Sequence, residues 1–145
     1  MASTDPTGGT HLRWDEPPAA RSPVLLVAFE GWNDAGSAAS LALQFLRETW
    51  GARPFCSVDP EEFYDFSSTR PTVSLDDDGT RRLTWPENTF SHAVVRDDLE
   101  IICLLGTEPE LRWRTFCEQV THLAAAEDVR LVVTLGALLA DVPHT

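Results

Sequence analysis

The sequence predicts an α/β sandwich, with a mainly parallel sheet, helices packed against it and a β-hairpin-rich insert. Three observations carry this. Residues 23–29 are an unbroken apolar run, the pattern of a strand buried on both faces, and residues 129–135 (VRLVVTL) read as a second buried strand. Two amphipathic stretches, one after the first run and one before the second, repeat apolar residues at helical spacing. Between them, acidic turns separate short β-prone runs.

Residues 1–22 carry Pro6, Pro17 and Pro18 among small polar residues, and are expected to be a flexible tail ordered only around Leu12 and Trp14. The α/β domain is expected to cover residues 23–145. The run PVLLVAF is its first core strand, followed by the loop of residues 30–36. From Ser37 to Trp50, the residues Leu41, Ala42, Phe45, Leu46 and Trp50 mark the apolar face of a helix that Gly51 ends. Residues 54–58 return as a strand. Strand, helix and strand in so short a span form a βαβ unit, with parallel strands and a right-handed crossover.

Residues 59–70 are a loop dense in acids and aromatics. The runs 72–75 and 80–85 flank Asp76-Asp77-Asp78-Gly79, a hairpin signal. A second hairpin is expected where 90–95 and 99–105 flank Arg96-Asp97-Asp98. Thr107 and Glu110 have the spacing of a capping box and Pro109 suits a first helical turn, so the second helix is expected to open at residues 106–110. Its apolar face is Trp113, Phe116, Cys117, Val120, Leu123 and Ala124. Residues 129–135 are the next buried strand. No helix follows to cover that strand, so the sequence is expected to be part of a longer domain, prone to association through an uncovered sheet.

The charge balance excludes several functions. The 145 residues hold 23 Asp and Glu against 11 basic residues, a net charge of −12. Every basic residue is Arg. Without Lys there is no P-loop lysine, no Schiff base and no lysine general base. Phosphate backbones and anionic membranes need clustered cations, so neither is expected as a partner. No apolar run approaches the roughly 20 residues of a membrane span, and residues 1–9 are polar, unlike a secretory signal. The chain is expected to be cytoplasmic. Cys56, Cys103 and Cys117 form no CxxC pair and lie in apolar stretches, so they are read as buried small hydrophobes.

The loop Glu30-Gly31-Trp32-Asn33-Asp34-Ala35-Gly36 superficially copies a phosphate-binding loop. Glu30 and Asp34 place negative charge where a phosphate would sit, which argues against a nucleotide. The structural alternative is that Asp34 caps the helix and the glycines take positive φ. The functional alternative is a cleft at the carboxyl ends of the strands, where open α/β sheets bind ligands. Its candidates are Glu30, Gly31, Trp32, Asn33, Asp34, Gly36, Gly106, Thr107, Glu108 and Gly136. So acidic a mouth suits a divalent cation or an amine; no cofactor is predicted. Phe63, Tyr64, Phe66, Arg112 and Arg114 are candidates for a protein interface, against the blander readings of core packing and surface ion pairing. The four His are scattered, and His144 lies in a terminal loop.

Five ordered blocks carry a family resemblance. The segment Ala28-Phe29-Glu30-Gly31-Trp32-Asn33-Asp34-Ala35-Gly36 resembles the signature of the proteasome assembly chaperone 2 family in its actinobacterial branch. Asp59-Pro60-Glu61-Glu62-Phe63-Tyr64-Asp65-Phe66 with Arg70-Pro71, Arg82-Leu83-Thr84-Trp85-Pro86, Gly106-Thr107-Glu108-Pro109 with Arg112-Trp113-Arg114, and residues 135–145 resemble the others. The resemblance implies a three-layer α/β/α sandwich similar to the phosphorylase/hydrolase-like group, in a longer protein. It implies a non-catalytic interaction or assembly module whose partner is a proteasome subunit or a second copy, forming a homo-oligomer at full length. Eukaryotic relatives help proteasome α-subunits assemble, acting as a heterodimer with a second chaperone. The alternative is a small-molecule or metal-dependent binder or enzyme using the acidic cleft.

Overall fold

The structure is a computed structural model that describes residues 11–143. His144 and residues 1–10 of the expected tail lie outside the described residues. The elements are β1 (Leu12–Trp14), β2 (Val24–Glu30), α1 (Ala38–Thr49), β3 (Arg53–Val58), β4 (Thr72–Leu75), β5 (Arg81–Thr84), β6 (Asn88–Arg96), β7 (Leu99–Thr107), α2 (Trp113–Ala126) and β8 (Leu131–Thr134). One sheet of six strands has the order β1-β3-β6-β7-β2-β8, and β4 and β5 form a separate two-stranded sheet.

The sheet is mixed, which corrects the expectation of a mainly parallel one. Only β7–β2 and β2–β8 are parallel ladders; β1–β3, β3–β6 and β6–β7 are antiparallel. Both expected hairpins form, and the second explains the difference. A two-residue turn at Asp97 and Asp98 makes β6 and β7 neighbours, and that pair stands between β2 and β3. The βαβ strands therefore point the same way without touching. At one edge, β1 ties residues of the expected tail to the sheet: Leu12 pairs with Val58, and Asp59 N–H donates to His11 O at 2.8 Å.

Strand β2 is the two-faced core strand that its unbroken apolar run predicts. Leu25 and Val27 pack with Phe63, Phe90, Ile102, Leu104 and the α2 residues Phe116 and Leu123. Val24 and Ala28 face the other way, toward Ile101, Cys103 and the α1 residues Ala39 and Leu43. Full burial of a side chain such as Leu43 or Leu123 contributes about 2 kcal/mol.

Four further expectations need correction. In α1, Ala39, Ser40 and Leu43 are buried, whereas Leu41 is 58% and Phe45 66% exposed. The cause is Asp34, which accepts from Ala39 and Ser40 and so turns their face of the helix inward. α2 begins at Trp113, not in residues 106–110, because Thr107 lies in the β7 ladder opposite Glu30. Arg112 precedes the helix in a left-handed conformation (φ 51°) with no side-chain cap, and Cys117 is exposed. Lastly, β8 is a sheet edge with Leu131 half exposed, not a buried strand.

Candidate functional site

The parallel strands β2 and β7 end side by side, with Glu30 opposite Thr107. The chain leaving each strand then grips the other. Glu108 N–H donates to Glu30 O at 2.9 Å, and Trp32 N–H donates to Glu108 Oε1 at 3.1 Å. Gly31, at φ +147°, lies under the Glu108 side chain, and a methyl group there would overlap its Cγ and Cδ. The segment after β8 grips the same loop from the far side. Ala35 N–H donates to Ala137 O at 2.9 Å, Ala137 N–H donates to Asn33 O at 2.9 Å, and Gly136 leaves room for the Asn33 amide.

Asp34 is the centre of this loop. Its Oδ1 accepts from Ala39 N–H at 2.8 Å and Ser40 N–H at 3.0 Å, and its Oδ2 accepts from the Ser40 hydroxyl at 2.5 Å. Burial pushes its pKa up, but these three donors outweigh burial and hold the carboxyl below its ordinary range. The carboxylate therefore occupies the helix N-terminus that a phosphate would need. That is the physical reason the loop's glycine spacing does not make a nucleotide site.

The structure thus brings Glu30, Gly31, Trp32, Asn33, Asp34, Gly36, Thr107, Glu108 and Gly136 to one end of the sheet. Gly106 lies one residue below, where a methyl group would overlap Asn88 Oδ1 and Glu87 O. An open depression of about 440 Å³ beside this mouth is lined by Gly31, Thr107, Glu108, Glu110 and Trp113 among others. Glu110 closes it toward the 59–70 loop. Its carboxylate accepts from the hydroxyls of Ser68 (2.6 Å) and Thr69 (2.8 Å) and from Asp65 N–H (2.6 Å), in that order the causes of its lowered pKa. No group of three or more His, Cys, Asp or Glu side chains among the described residues is arranged to hold a metal ion.

The five interface candidates separate. Phe63 is fully buried and Tyr64 nearly so; both belong to the α2-side core. Tyr64 OH donates to Thr107 O at 2.6 Å and accepts from Asn88 Nδ2; burial pushes its pKa up to about 12. Phe66 is half buried against Trp85, ring centroids 4.8 Å apart. Arg112 pairs with Glu62, and Arg114 is exposed. Among the cysteines, Cys56 and Cys103 are buried, and burial raises the Cys103 thiol to about 11.

Sequence reasoning missed a second depression, of about 390 Å³, between β1, the 59–66 loop and the exit from β5. Its lining comes from separate segments: Arg13, Asp59, Glu61, Phe66, Leu83, Trp85 and Glu87 among them. The available signal was that two family-like blocks, residues 59–66 and 82–86, both carry aromatics beside charge.

Among solved structures, the chain is similar to a PAC2 family protein from Streptomyces avermitilis (46% identity, TM-score 0.76, 84% of this chain and 52% of that one). A proteasome-assembly chaperone homologue from Mycobacterium tuberculosis is 44% identical, with TM-score 0.78 and the same coverage. An archaeal proteasome activator from Pyrococcus furiosus shares the fold at 16% identity and TM-score 0.62, over 85% of this chain and 49% of that one. The chain spans about half the length of these structures. No curated protein sequence matches it. The PAC2 family model matches residues 28–145, which include the mouth, and the chain belongs to the PAC2 family.

Proposed function

We propose that this chain is a protein-interaction module of the proteasome-assembly-chaperone type, non-catalytic and cytoplasmic, with proteasome subunits as partners and self-association at full length. The observation that carries this reading is the 44% identity to the Mycobacterium tuberculosis proteasome-assembly chaperone homologue. The fate of the acids supports it: Asp34 and Glu108, two of the three acids expected to serve the cleft, accept hydrogen bonds that fasten loops, as does Glu110 beside them. Trp32, 80% exposed, and Leu41 and Phe45 on α1 leave large apolar side chains for a partner. One helix on each sheet face is the arrangement of a three-layer α/β/α sandwich, and the reading includes that layering.

The test is a pull-down of actinobacterial proteasome α-subunits on the immobilised chain. Enrichment over a charge-matched acidic control is expected, and equal recovery on both would count against the proposal. The 440 Å³ depression beside Glu108 favours a second reading, a small-molecule or divalent-cation binder. A melting temperature unchanged by Mg²⁺, Mn²⁺ and nucleosides would remove it, because a ligand at about 100 times its Kd adds about 2.7 kcal/mol.

A further inference from the structure

The depression at the exit of β5 has the chemistry of a receptor for a cationic side chain. Its walls are Phe66, Leu83 and Trp85, with the Phe66 and Trp85 rings meeting edge to face. Three carboxylates rim it, Asp59, Glu61 and Glu87. Arg13 neutralises one of them, with its guanidinium 2.6 Å from Asp59 Oδ2. Glu61 and Glu87 are exposed and have no ion-pair partner among the described residues. Their position differs from that of Asp34, Glu108 and Glu110, whose oxygens accept loop donors. Aromatic faces beside unpaired carboxylates attract a guanidinium or ammonium group by cation–π and ionic terms together.

The backbone beside the depression specifies what kind of molecule carries that cation. β5 pairs with β4 on one side only. The depression is lined by Leu83 and Thr84 of β5 and by no residue of β4, so it lies on the β5 side of the hairpin, next to the strand's unpaired edge. An unpaired strand edge next to a side-chain pocket is the arrangement that accepts an extended peptide by strand addition. Arg82, the cation on this strand nearest the pocket, is held by Asp76 at 2.9 Å.

We propose that β5's outer edge binds an extended segment of a partner protein, with an Arg or Lys side chain seated between Phe66, Trp85, Glu61 and Glu87. This site is separate from the strand-end mouth and holds whether or not the partner is a proteasome subunit.

The test uses the full chain and three labelled probes: a capped five-residue β-prone peptide with a central Arg, the same peptide with a central Glu, and arginine amide alone. Fluorescence polarisation should show saturable binding of the Arg peptide, at least about tenfold tighter than the Glu peptide and arginine amide. The E61Q/E87Q variant should weaken the Arg peptide about fivefold without changing the melting temperature. Chemical shifts should move at Phe66 and residues 83–87. Failure to saturate by about 1 mM, equal affinity for both peptides, or indifference to E61Q/E87Q would each overturn the proposal. So would arginine amide binding as well as the peptide, which indicates a free-cation pocket. A dimer in sedimentation that E61Q/E87Q dissolves would also overturn it, since the occupant is then a second copy.

Discussion

The strand-end mouth and the β4–β5 hairpin are built from similar material, acids close to large apolar side chains, yet the fold treats them oppositely. At the mouth, Asp34 accepts three hydrogen bonds and Glu110 accepts three, while Phe63 and Tyr64 lie buried in the α2-side core. In the hairpin, every residue of β4 and β5 is exposed, including Val73, Leu75 and Leu83. Acid density therefore identifies no ligand site by itself. What matters is whether the carboxylate oxygens already have donors, and at the mouth several do. The same test moves attention to Glu61 and Glu87, whose carboxylates have no donor among the described residues, although the sequence marks them less clearly.

The comparison makes the mouth the stiff region, and Phe63 tests that most severely. Its ring packs edge to face on Phe116 at 5.4 Å and on His11 at 5.3 Å, and its carbonyl accepts from Glu110 and Leu111 N–H. Phe63→Ala should cost about 4 kcal/mol in urea unfolding, through lost burial and a cavity. A loss under about 1.5 kcal/mol would show that the 59–70 loop is not part of the core. Gly106→Ala should follow at about 3 kcal/mol, because the added methyl meets the backbone oxygen of Glu87 as well as Asn88, and a backbone atom cannot swing aside. Circular dichroism melts of the two variants check the order.

How far this was legible in the sequence depends on the range of the interactions. The β2 run and the Asp76-Asp77-Asp78-Gly79 turn were legible because each is decided within a few residues. The convergence of Glu30–Gly36, Thr107, Glu108 and Gly136 was legible too, since strand ends of a parallel pair share one edge. Sheet order was not: nothing local in β2, α1 and β3 says that a hairpin formed some 40 residues later will stand between them. The α1 face was misread because the helix has two apolar stripes, and only the Asp34 contacts to Ala39 and Ser40 decide between them. The Thr107 cap failed because strand pairing with Glu30 claimed that residue. The β5 pocket needs Phe66 and Trp85 brought together across the loop, a tertiary contact with no periodic signature.

Asp34 sharpens the comparison with a pH readout. Asp34→Ala should lose about 2 kcal/mol at pH 7, since two N–H groups and a hydroxyl lose their acceptor at a buried site. The folded-state pKa is held below the ordinary value of 3.8 by Ser40 and Ala39, despite burial pushing it up. Stability from this group is therefore fully present above the unfolded value and is lost as pH falls through the lower folded one. Guanidinium melts from pH 7 to pH 2 should show the gap between wild type and Asp34→Asn narrowing below about pH 4. A gap independent of pH would mean that the donors do not favour the ionised form.

The hairpin supplies the smallest expected effect and the sharpest contrast. On one face Val73 lies opposite Leu83, with Leu75 two residues along, and all three are at least half exposed. An isolated two-stranded sheet is marginal in water, and an exposed apolar side chain contributes little to a global transition. Val73→Thr and Leu75→Thr keep a β-prone residue on the strand while removing apolar surface. Each should change the unfolding free energy by no more than about 0.5 kcal/mol. Both should reduce self-association if that face is a contact, which sedimentation velocity reads directly. A loss above about 1.5 kcal/mol from either would show that the hairpin packs against the body in solution, and the contrast between a fastened mouth and an open hairpin would not stand.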